Sequence, residues 1–361
     1  MKYIDEFRDP EKAQRLLHLI HKRSTHPVRL MEFCGGHTHA IFKFGLRQLL
    51  PCTVTLLSGP GCPVCVTASS DLDRAIAMAH LPGVIVATFG DMMRVPGSNG
   101  TLQDAKAQGA DVRMVYSSLD ALSIARANPD RPLIFLAIGF ETTAPTVAAA
   151  ILQAQEEDVD NFFILSLHKL TPPATKAILD AGEVNLSGII GPGHVTTVIG
   201  ADSWNFLPND YGIPCAIAGF EPLDILWAIY ALVDMIEAHT PAVSNRYARS
   251  VRPEGNRRAQ ELMDQVFQIG PAEWRGLGVV PSSGLLLREQ YRAFDAALHF
   301  PVQISPSQEP AGCRCGEVLR GVTEPPQCPL FARVCTPEHP IGPCMVSSEG
   351  ACAAYMQYSE A

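Results

Sequence analysis

Six of the eleven cysteines lie in the last 49 residues, and this segment constrains the fold more than any other part of the chain. The segment is rich in Pro and Gly and has few apolar runs, so it cannot bury a hydrophobic core of its own. Disulfide bonds, zinc or an iron–sulfur cluster must therefore hold it together. The cysteines are Cys313, Cys315, Cys328, Cys335, Cys344 and Cys352.

The compartment and the cysteine spacing distinguish these alternatives. Disulfide bonds need an oxidising compartment, but the N-terminus is charged from residue 2 and lacks the apolar region of a signal peptide. No run of about 18 apolar residues could cross a membrane. We therefore expect a cytoplasmic protein, in which clustered cysteines indicate metal or redox chemistry. Zinc sites use closely spaced ligand pairs, whereas long gaps between thiolates favour a [4Fe–4S] cluster, which takes four of them.

Composition excludes some functions. At 361 residues the chain is expected to form two or three domains. Its net charge of −9, with no basic stripe, argues against binding to nucleic acid. Neither a G-x-G-x-x-G at a first helix nor a P-loop motif is present, so no dinucleotide or P-loop nucleotide site is expected.

Short apolar runs alternate with amphipathic ones, which predicts parallel sheets covered by helices. We expect an α/β fold with two related Rossmann-like lobes and a cysteine-rich C-terminal iron–sulfur domain. The expected domains are residues 1–130 with an N-terminal helix, 131–240 and 241–361. The predicted strands are 28–33, 53–57, 84–88, 112–116, 133–138, 162–166, 188–190 and 215–218, and the predicted helices are 9–23, 71–80, 119–128, 146–156, 223–238 and 256–268.

A weak internal sequence repeat favours two lobes over one large sheet. A Gly-Pro-Gly turn follows a predicted strand at residues 59–61 and again at residues 191–193. Gly-Phe-Glu or Phe-Gly-Asp tripeptides also occur in each half of the chain, at 89–91, 139–141 and 219–221.

Two loops at predicted strand ends carry thiols. In the first, Cys34 and His37 flank paired glycines, which let the backbone approach a ligand closely, and a thiol beside an imidazole suits a soft metal. The alternative is a buried cysteine beside a helix cap. In the second, Cys62 and Cys65 form a C-P-x-C pair that resembles a thiol–disulfide redox site, with two structural cysteines as the alternative.

The other candidate residues lie outside these two thiol loops. His194 and Glu141 each follow a predicted strand, where ligands of open α/β sheets usually bind, although single residues of this kind are often structural. Cys52 and Cys215 lie in apolar strand contexts and are expected to be inert core residues.

Eight motifs together are specific: FCGGHTHA, GPGCPVC, TFGDMMRVPG, GFETT, PGHV, AGFEP, EWRGLG and MVSSEGAC. In this order they resemble the HypD family of [NiFe]-hydrogenase maturation proteins. The resemblance covers nearly the whole chain, from about residue 1 to residue 358.

The resemblance implies two related α/β lobes and a third domain that carries a [4Fe–4S] cluster. The family's cluster motif has gaps of 12, 6 and 16 residues, which are the gaps between Cys315, Cys328, Cys335 and Cys352. Cys313 and Cys344 are then additional thiols, and the closeness of Cys313 to Cys315 leaves the first ligand open.

The resemblance also implies partners. Family members form a complex with the small chaperone HypC, on which the Fe(CN)2(CO) group is assembled before its transfer to the hydrogenase large subunit. A HypE-type protein delivers the cyanide. Such a protein is a redox-active assembly scaffold rather than a conventional turnover enzyme, and it holds the iron transiently.

The family's central thiols correspond to Cys34, Cys62 and Cys65, with His37 and His194 near them in the motifs. We expect Cys34 to be an iron ligand and one thiol of the C-P-x-C pair to be another, because iron carrying cyanide and carbonyl favours soft thiolate donors. The remaining thiol would serve redox chemistry. Either histidine would tune a thiolate pKa or contact the cyanide nitrogens.

Further expectations concern the edges of this site. Glu349, near Cys352, would relay protons close to the cluster. The glycines at 35 and 36 would leave room for a cysteine from the chaperone's N-terminus. Two other interpretations stay open: a free-standing iron–sulfur thiol–disulfide oxidoreductase that uses Cys62 and Cys65, and a zinc-stabilised binding module.

Overall fold

In the part of the chain that the computed structural model describes, residues 4–358, eleven strands form two parallel sheets and one antiparallel hairpin. The strands are β1 (Val28–Glu32), β2 (Val54–Ser58), β3 (Ile85–Thr88), β4 (Asp111–Met114), β5 (Leu133–Gly139), β6 (Phe162–His168), β7 (Gly188–Pro192), β8 (Cys215–Ala218), β9 (Val243–Asn245), β10 (Phe267–Trp274) and β11 (Gly278–Leu287).

Sixteen α-helices connect and cover these strands within residues 4–358. They are α1 (Pro10–Arg23), α2 (Gly35–Lys43), α3 (Leu46–Leu49), α4 (Pro63–Val66), α5 (Ser69–Ala79), α6 (Leu102–Ala107), α7 (Ser118–Arg126), α8 (Ala144–Glu156), α9 (Thr171–Ala181), α10 (Gly193–Ile199), α11 (Phe206–Tyr211), α12 (Pro222–Glu237), α13 (Arg257–Val266), α14 (Ala296–His299), α15 (Cys315–Leu319) and α16 (Ala351–Tyr358).

The α/β class and the eight predicted strands are confirmed, with ends that differ by a few residues. Strands β5 and β8 are buried along their whole length, as continuous apolar runs in parallel sheets are. The first sheet has the order β2-β1-β7-β8-β9 and the second has the order β4-β3-β5-β6, and all pairs within these two sheets are parallel.

Strand pairing crosses the predicted boundary at residue 130. The chain lays down β1 and β2, then builds the whole second sheet, and returns with β7 to pair beside β1. Each predicted lobe segment therefore contributes strands to both sheets. The first Gly-Pro-Gly sequence follows β2 and the second begins in the last residues of β7, so both lie at one edge of the same sheet and do not mark equivalent positions in two lobes.

A hydrophobic core joins the two sheets and the C-terminal segment. It contains Met31 and Leu57 from the first sheet, Val86 and Ile134 from the second, and buried cysteines of the tail, including Cys344. The buried residues of the C-terminal segment thus belong to the same hydrophobic core as those of the two sheets. Its last helix, α16, packs against α2, and helix α1 packs against α12, which covers β7 and β8 of the first sheet.

The hairpin β10–β11 was not predicted. Gly270 and Pro271 interrupt the apolar alternation of β10, and the register shifts between Gly270 and Ala272. The predicted helix at 256–268 ends at Val266, where β10 begins. Within residues 4–358, no helix is long and apolar enough to cross a membrane.

Candidate thiol and metal-binding site

The Cys34 loop and the Cys62 loop are joined through their backbones. Cys34 follows β1 and caps α2, while Cys62 follows β2 and caps α4. Since β1 and β2 are adjacent parallel strands, their carboxyl ends meet at one edge. The Gly35 N–H donates to the Gly61 carbonyl over 3.0 Å. The structure therefore brings the predicted thiol loops together.

The close contact between the Cys34 loop and the Cys62 loop requires glycine at position 61. A Cβ added there would lie 2.5 Å from the Cys34 Cα and 2.6 Å from the Phe33 carbonyl carbon. These are backbone atoms, which cannot swing aside. The Gly-Pro-Gly sequence is thus explained by packing between two loops.

Glu32, at the end of β1, orients the Cys34 loop. Its side chain is buried and accepts a hydrogen bond of 2.9 Å from the Cys34 N–H and another from the Thr38 hydroxyl. Burial raises the pKa of Glu32 to about 8. We did not predict this role, although a carboxylate within a buried strand is a signal that could have identified it.

Cys34 is a free, half-buried thiol between two acids. Burial, followed by the charges of Glu349 and Glu32, raises the pKa of Cys34 to about 12. The metal-free thiol is therefore protonated at neutral pH, and binding of a metal there must release a proton.

Gly35 is covered by the C-terminal segment. A Cβ at Gly35 would lie 2.5 Å from both the Cβ and the carbonyl oxygen of Glu349. A Cβ added on Gly36 would instead lie 3.0 Å from the Phe220 ring and 3.6 Å from the Cys34 Sγ. These glycines admit parts of the same chain, which differs from the expectation that they leave an open entrance for a partner.

Cys62 and Cys65 form a disulfide bond, with their Cα atoms 5.2 Å apart. Pro63 begins helix α4 between them, and both cysteines are buried. The Cys65 Sγ lies 3.8 Å from the carbonyl oxygen of Pro343 in the C-terminal segment. The pair thus contacts the residue that precedes Cys344.

His37 and His194 both stack on one aromatic ring, that of Phe220. The Phe220 ring centroid is 4.8 Å from that of His37 and 3.8 Å from that of His194, with both pairs stacked. His37 Nε2 donates to the carbonyls of Ala218 and Gly219, which leaves its buried Nδ1 without a protein partner. Burial lowers the pKa of His37 to about 4, so the ring is neutral.

Phe220 is a site residue that sequence reasoning missed. Its Gly-Phe-Glu tripeptide follows β8, two strands away from β1 in the first sheet, and only this pairing shows that the ring reaches the Cys34 loop.

All six cysteines of the C-terminal segment line one cavity. Val318, Leu330, Phe331 and Met345 make the rest of its wall largely apolar. The cysteines are Cys313, Cys315, Cys328, Cys335, Cys344 and Cys352. Cys344 lies within hydrogen-bonding reach of Cys315 and Cys352, and these hydrogen bonds raise its pKa.

In residues 4–358, no three His, Cys, Asp or Glu side chains converge on a single ion position. The six thiols that line the cavity are of the donor type that a [4Fe–4S] cluster takes, since cluster thiolates bind different iron atoms around a shared cavity.

The remaining candidates lie elsewhere. Glu141 is buried just after β5 and accepts a hydrogen bond of 2.8 Å from the Thr171 N–H. Cys215 is a buried core residue, as expected. The expectation for Cys52 was wrong, because it lies exposed in the turn before β2.

Comparisons with known proteins agree on one family. The family model described as "HypD: Hydrogenase formation hypA family" matches residues 11–359. The hydrogenase maturation factor HypD of Cupriavidus necator is 49% identical, over 99% of this chain and 97% of its own length. HypD of Escherichia coli K12 is 47% identical over 100% and 99%, respectively. HypD2 of Bradyrhizobium diazoefficiens is 48% identical over 99% and 97%. This chain therefore belongs to the HypD family of hydrogenase maturation factors.

Proposed function

We propose that this protein is the scaffold and redox component on which, together with a HypC-type chaperone, the Fe(CN)2(CO) group of a hydrogenase is assembled. The observation that carries the proposal is one continuous arrangement. The Cys34 loop is hydrogen-bonded to the Cys62 loop, and Cys65 contacts the segment whose cysteines surround one cavity.

The iron is substrate here, and Cys34 is its proposed protein ligand. Iron with cyanide and carbonyl ligands prefers soft thiolates. Cys34 is a free cysteine at the sheet edge where the carboxyl ends of β1 and β2 meet. Its proton leaves when the metal binds, and Glu349 is the nearby carboxyl group proposed to accept it, because the raised pKa of Glu32 keeps that carboxyl protonated near neutral pH. Phe220 and the two stacked histidines form an adjacent wall, with the neutral His194 in reach of a small ligand.

The proposed [4Fe–4S] ligands are Cys315, Cys328, Cys335 and Cys352. Bound there, a cluster supplies one electron at a time. Reduction of the Cys62–Cys65 disulfide takes two electrons and two protons, which breaks the S–S bond and gives two thiols. The contact of Cys65 with Pro343 puts this pair next to the cluster cavity.

The proposed partners complete the iron site. Within residues 4–358, the Cys34 edge offers no set of three donors for one ion. A thiolate from a HypC-type chaperone is therefore the proposed further ligand, with a HypE-type protein as the cyanide donor and the hydrogenase large subunit as the receiver.

Infrared spectroscopy of the complex with the chaperone tests the proposal. Cys34→Ala should remove the cyanide and carbonyl bands and stop hydrogenase maturation, while the iron–sulfur absorbance stays. The matched control is Cys52→Ala, which removes an exposed free cysteine and should keep the bands. Normal maturation by the Cys34→Ala protein would contradict the joint-thiolate model.

A second experiment tests the cluster ligands. Iron content and visible absorbance should be lost in alanine variants of Cys315, Cys328, Cys335 and Cys352, and retained in variants of Cys313 and Cys344. Loss of the cluster with Cys344→Ala would instead make this central thiol a ligand. Full absorbance in all four single variants of the proposed set would refute the assignment.

A free-standing thiol–disulfide oxidoreductase is the second candidate, favoured by the Cys62–Cys65 disulfide. Exchange with an external protein requires an accessible sulfur. Cys62 is only 3% exposed and Cys65 is 0% exposed. The burial therefore favours redox chemistry with internal partners.

A further inference from the structure

The stacked rings of His194 and Phe220 are carried by two neighbouring turns. Gly193, directly before His194, begins helix α10 after β7. Gly219, directly before Phe220, follows β8. Because β7 and β8 are adjacent parallel strands, both turns lie at the carboxyl edge of the first sheet. The two ring centroids are 3.8 Å apart, so the spacing between these turns determines the stack.

The ring of Tyr247 fills the space between the two turns. A Cβ added on Gly193 would lie 2.8 Å from the Tyr247 Cδ1, whereas one added on Gly219 would lie 2.6 Å from Cδ2 and Cε2. The two glycines therefore face opposite edges of the ring, and a larger side chain at either position would collide with it. Tyr247 also meets Phe220 edge to face, with centroids 6.1 Å apart and an interplanar angle of 88°, which is an arrangement that aromatic pairs favour.

Tyr247 is held in its own position by Arg249. The Arg249 guanidinium lies 4.5 Å from the centroid of the Tyr247 ring and 3.8 Å from that of Phe7. It also donates to both carboxylate oxygens of the buried Asp224, over 2.7 and 2.6 Å. A planar guanidinium that stacks on rings and pairs with a carboxylate is held in one orientation. The Tyr247 backbone N–H donates to the side chain of Asn245 over 2.9 Å, so both the backbone and the ring are supported.

Phe220 connects this group to the proposed iron ligand. The Phe220 ring and the Cys34 Sγ both lie against the space that a side chain at position 36 would occupy. The same ring stacks on His37. A displacement of Phe220 would therefore change the wall beside Cys34.

We propose that Tyr247 is a positioning residue that sets the distance between the His194 and Phe220 rings, and through them the shape of the wall beside Cys34. Its ring is the spacer between the two turns, and Arg249 holds that spacer in place. Tyr247 lies outside the eight sequence motifs. The part of the proposal that concerns the iron rests on the proposed function, whereas the part that concerns the two rings does not.

Nuclear magnetic resonance of the full-length protein with labelled histidines tests the effect on the rings. The stacked Phe220 ring shifts the His194 ring protons upfield, and the loss of these signals in His194→Gln assigns them. Phe220→Leu removes the ring and so defines the complete change. Tyr247→Ala should produce more than about half of that change, because the stack then loses its edge-to-face support. Tyr247→Phe keeps the ring and should leave the signals close to their wild-type positions.

The matched control for the loss of a tyrosine ring is Tyr230→Ala. Tyr230 is half-buried, as Tyr247 is, but it lies on α12 and packs against Trp227. Its removal should leave the His194 signals in place.

Infrared spectroscopy of the complex with the chaperone tests the effect on the iron site. Removal of a residue that orients the side chains of a metal site typically costs about 10- to 100-fold in activity. Tyr247→Ala should therefore lower hydrogenase maturation about tenfold or more and should shift or broaden the cyanide bands. Tyr247→Phe should restore both, and the iron–sulfur absorbance should stay the same in each variant.

A second substitution covers the case in which Tyr247→Ala does not fold. Tyr247→Leu keeps apolar volume between the turns but removes the flat ring, so it should move the His194 signals in the same direction. Signals that stay in place in the folded variants of Tyr247, or that move equally in Tyr230→Ala, would overturn the proposal. Moved signals with normal maturation and unchanged bands would overturn its iron part. If the wild-type complex showed no cyanide bands, the proposed function would fail, and the His194 signals would still decide the role of Tyr247.

Discussion

The contact between the two thiol loops yields a sharp prediction for Gly61→Ala. The added Cβ would lie 2.5 Å from the Cys34 Cα, whereas ordinary van der Waals contact begins near 3.4 Å. The Cys34 backbone N is closer still, so the loops must separate by at least about 0.9 Å. Gly61 is not among the positive-φ residues, so the effect is steric and no backbone strain is added.

We expect Gly61→Ala to lower the free energy of unfolding by about 3 kcal/mol, the upper part of the range for overpacking, because both sides of the clash are backbone. A displacement of this size at a reacting group can cost roughly 100-fold in activity. Hydrogenase maturation should therefore fall sharply even at a temperature where the variant stays folded.

Urea denaturation followed by far-UV circular dichroism measures the stability, and hydrogenase activity in a strain that lacks its own HypD measures function. Gly83→Ala is the control, because Gly83 has φ +78° with no atom near its added Cβ. It should cost about 1 kcal/mol through backbone strain and leave maturation intact. A Gly61→Ala protein within about 0.5 kcal/mol of wild type and with normal maturation would refute the argument.

Three further predictions concern other contacts. Burial raises the pKa of Glu141 from 4.5 to about 7. Its contribution to the free energy of unfolding is therefore full at low pH and is lost as the pH rises through about 7. In urea titrations at several pH values, Glu141→Gln should remove about 3 kcal/mol of this pH dependence. Gly35→Ala should displace the tail at Glu349 and make α16 more susceptible to limited proteolysis, and an unchanged digestion pattern would contradict the packing. Asp224→Ala should cost about 3 kcal/mol in thermal or urea unfolding, because it removes the buried partner of the Arg249 guanidinium, whereas a loss of under about 1 kcal/mol would make that ion pair unimportant.

Local sequence determined the elements well. The eight predicted strands are found because buried parallel strands are short, continuous apolar runs, such as Leu133–Gly139. Sequence also placed Cys34 and Cys62 directly after strands, which puts them at a sheet edge in any parallel arrangement. The tail was expected to lack a core of its own, and its buried residues share a core with both sheets; the cluster expected to hold it together stays a prediction.

Tertiary structure decided which elements meet. Short apolar strands resemble one another in sequence, so the local sequence does not show which strands pair. Nothing in it indicates that β1 pairs with β7, from the other half of the chain. That one pairing interleaves the lobes and brings Phe220 to Gly36. It could not be read from the tripeptides, which recur in both halves of the chain.

The same reason accounts for the role of Glu32. Its type is ordinary in a sequence, and it matters because tertiary contacts bury it beside the Cys34 loop. That all six tail cysteines line one cavity was likewise decided by the tertiary structure. Chemistry of this kind depends on distance and burial, and both are fixed by contacts between residues far apart in the chain.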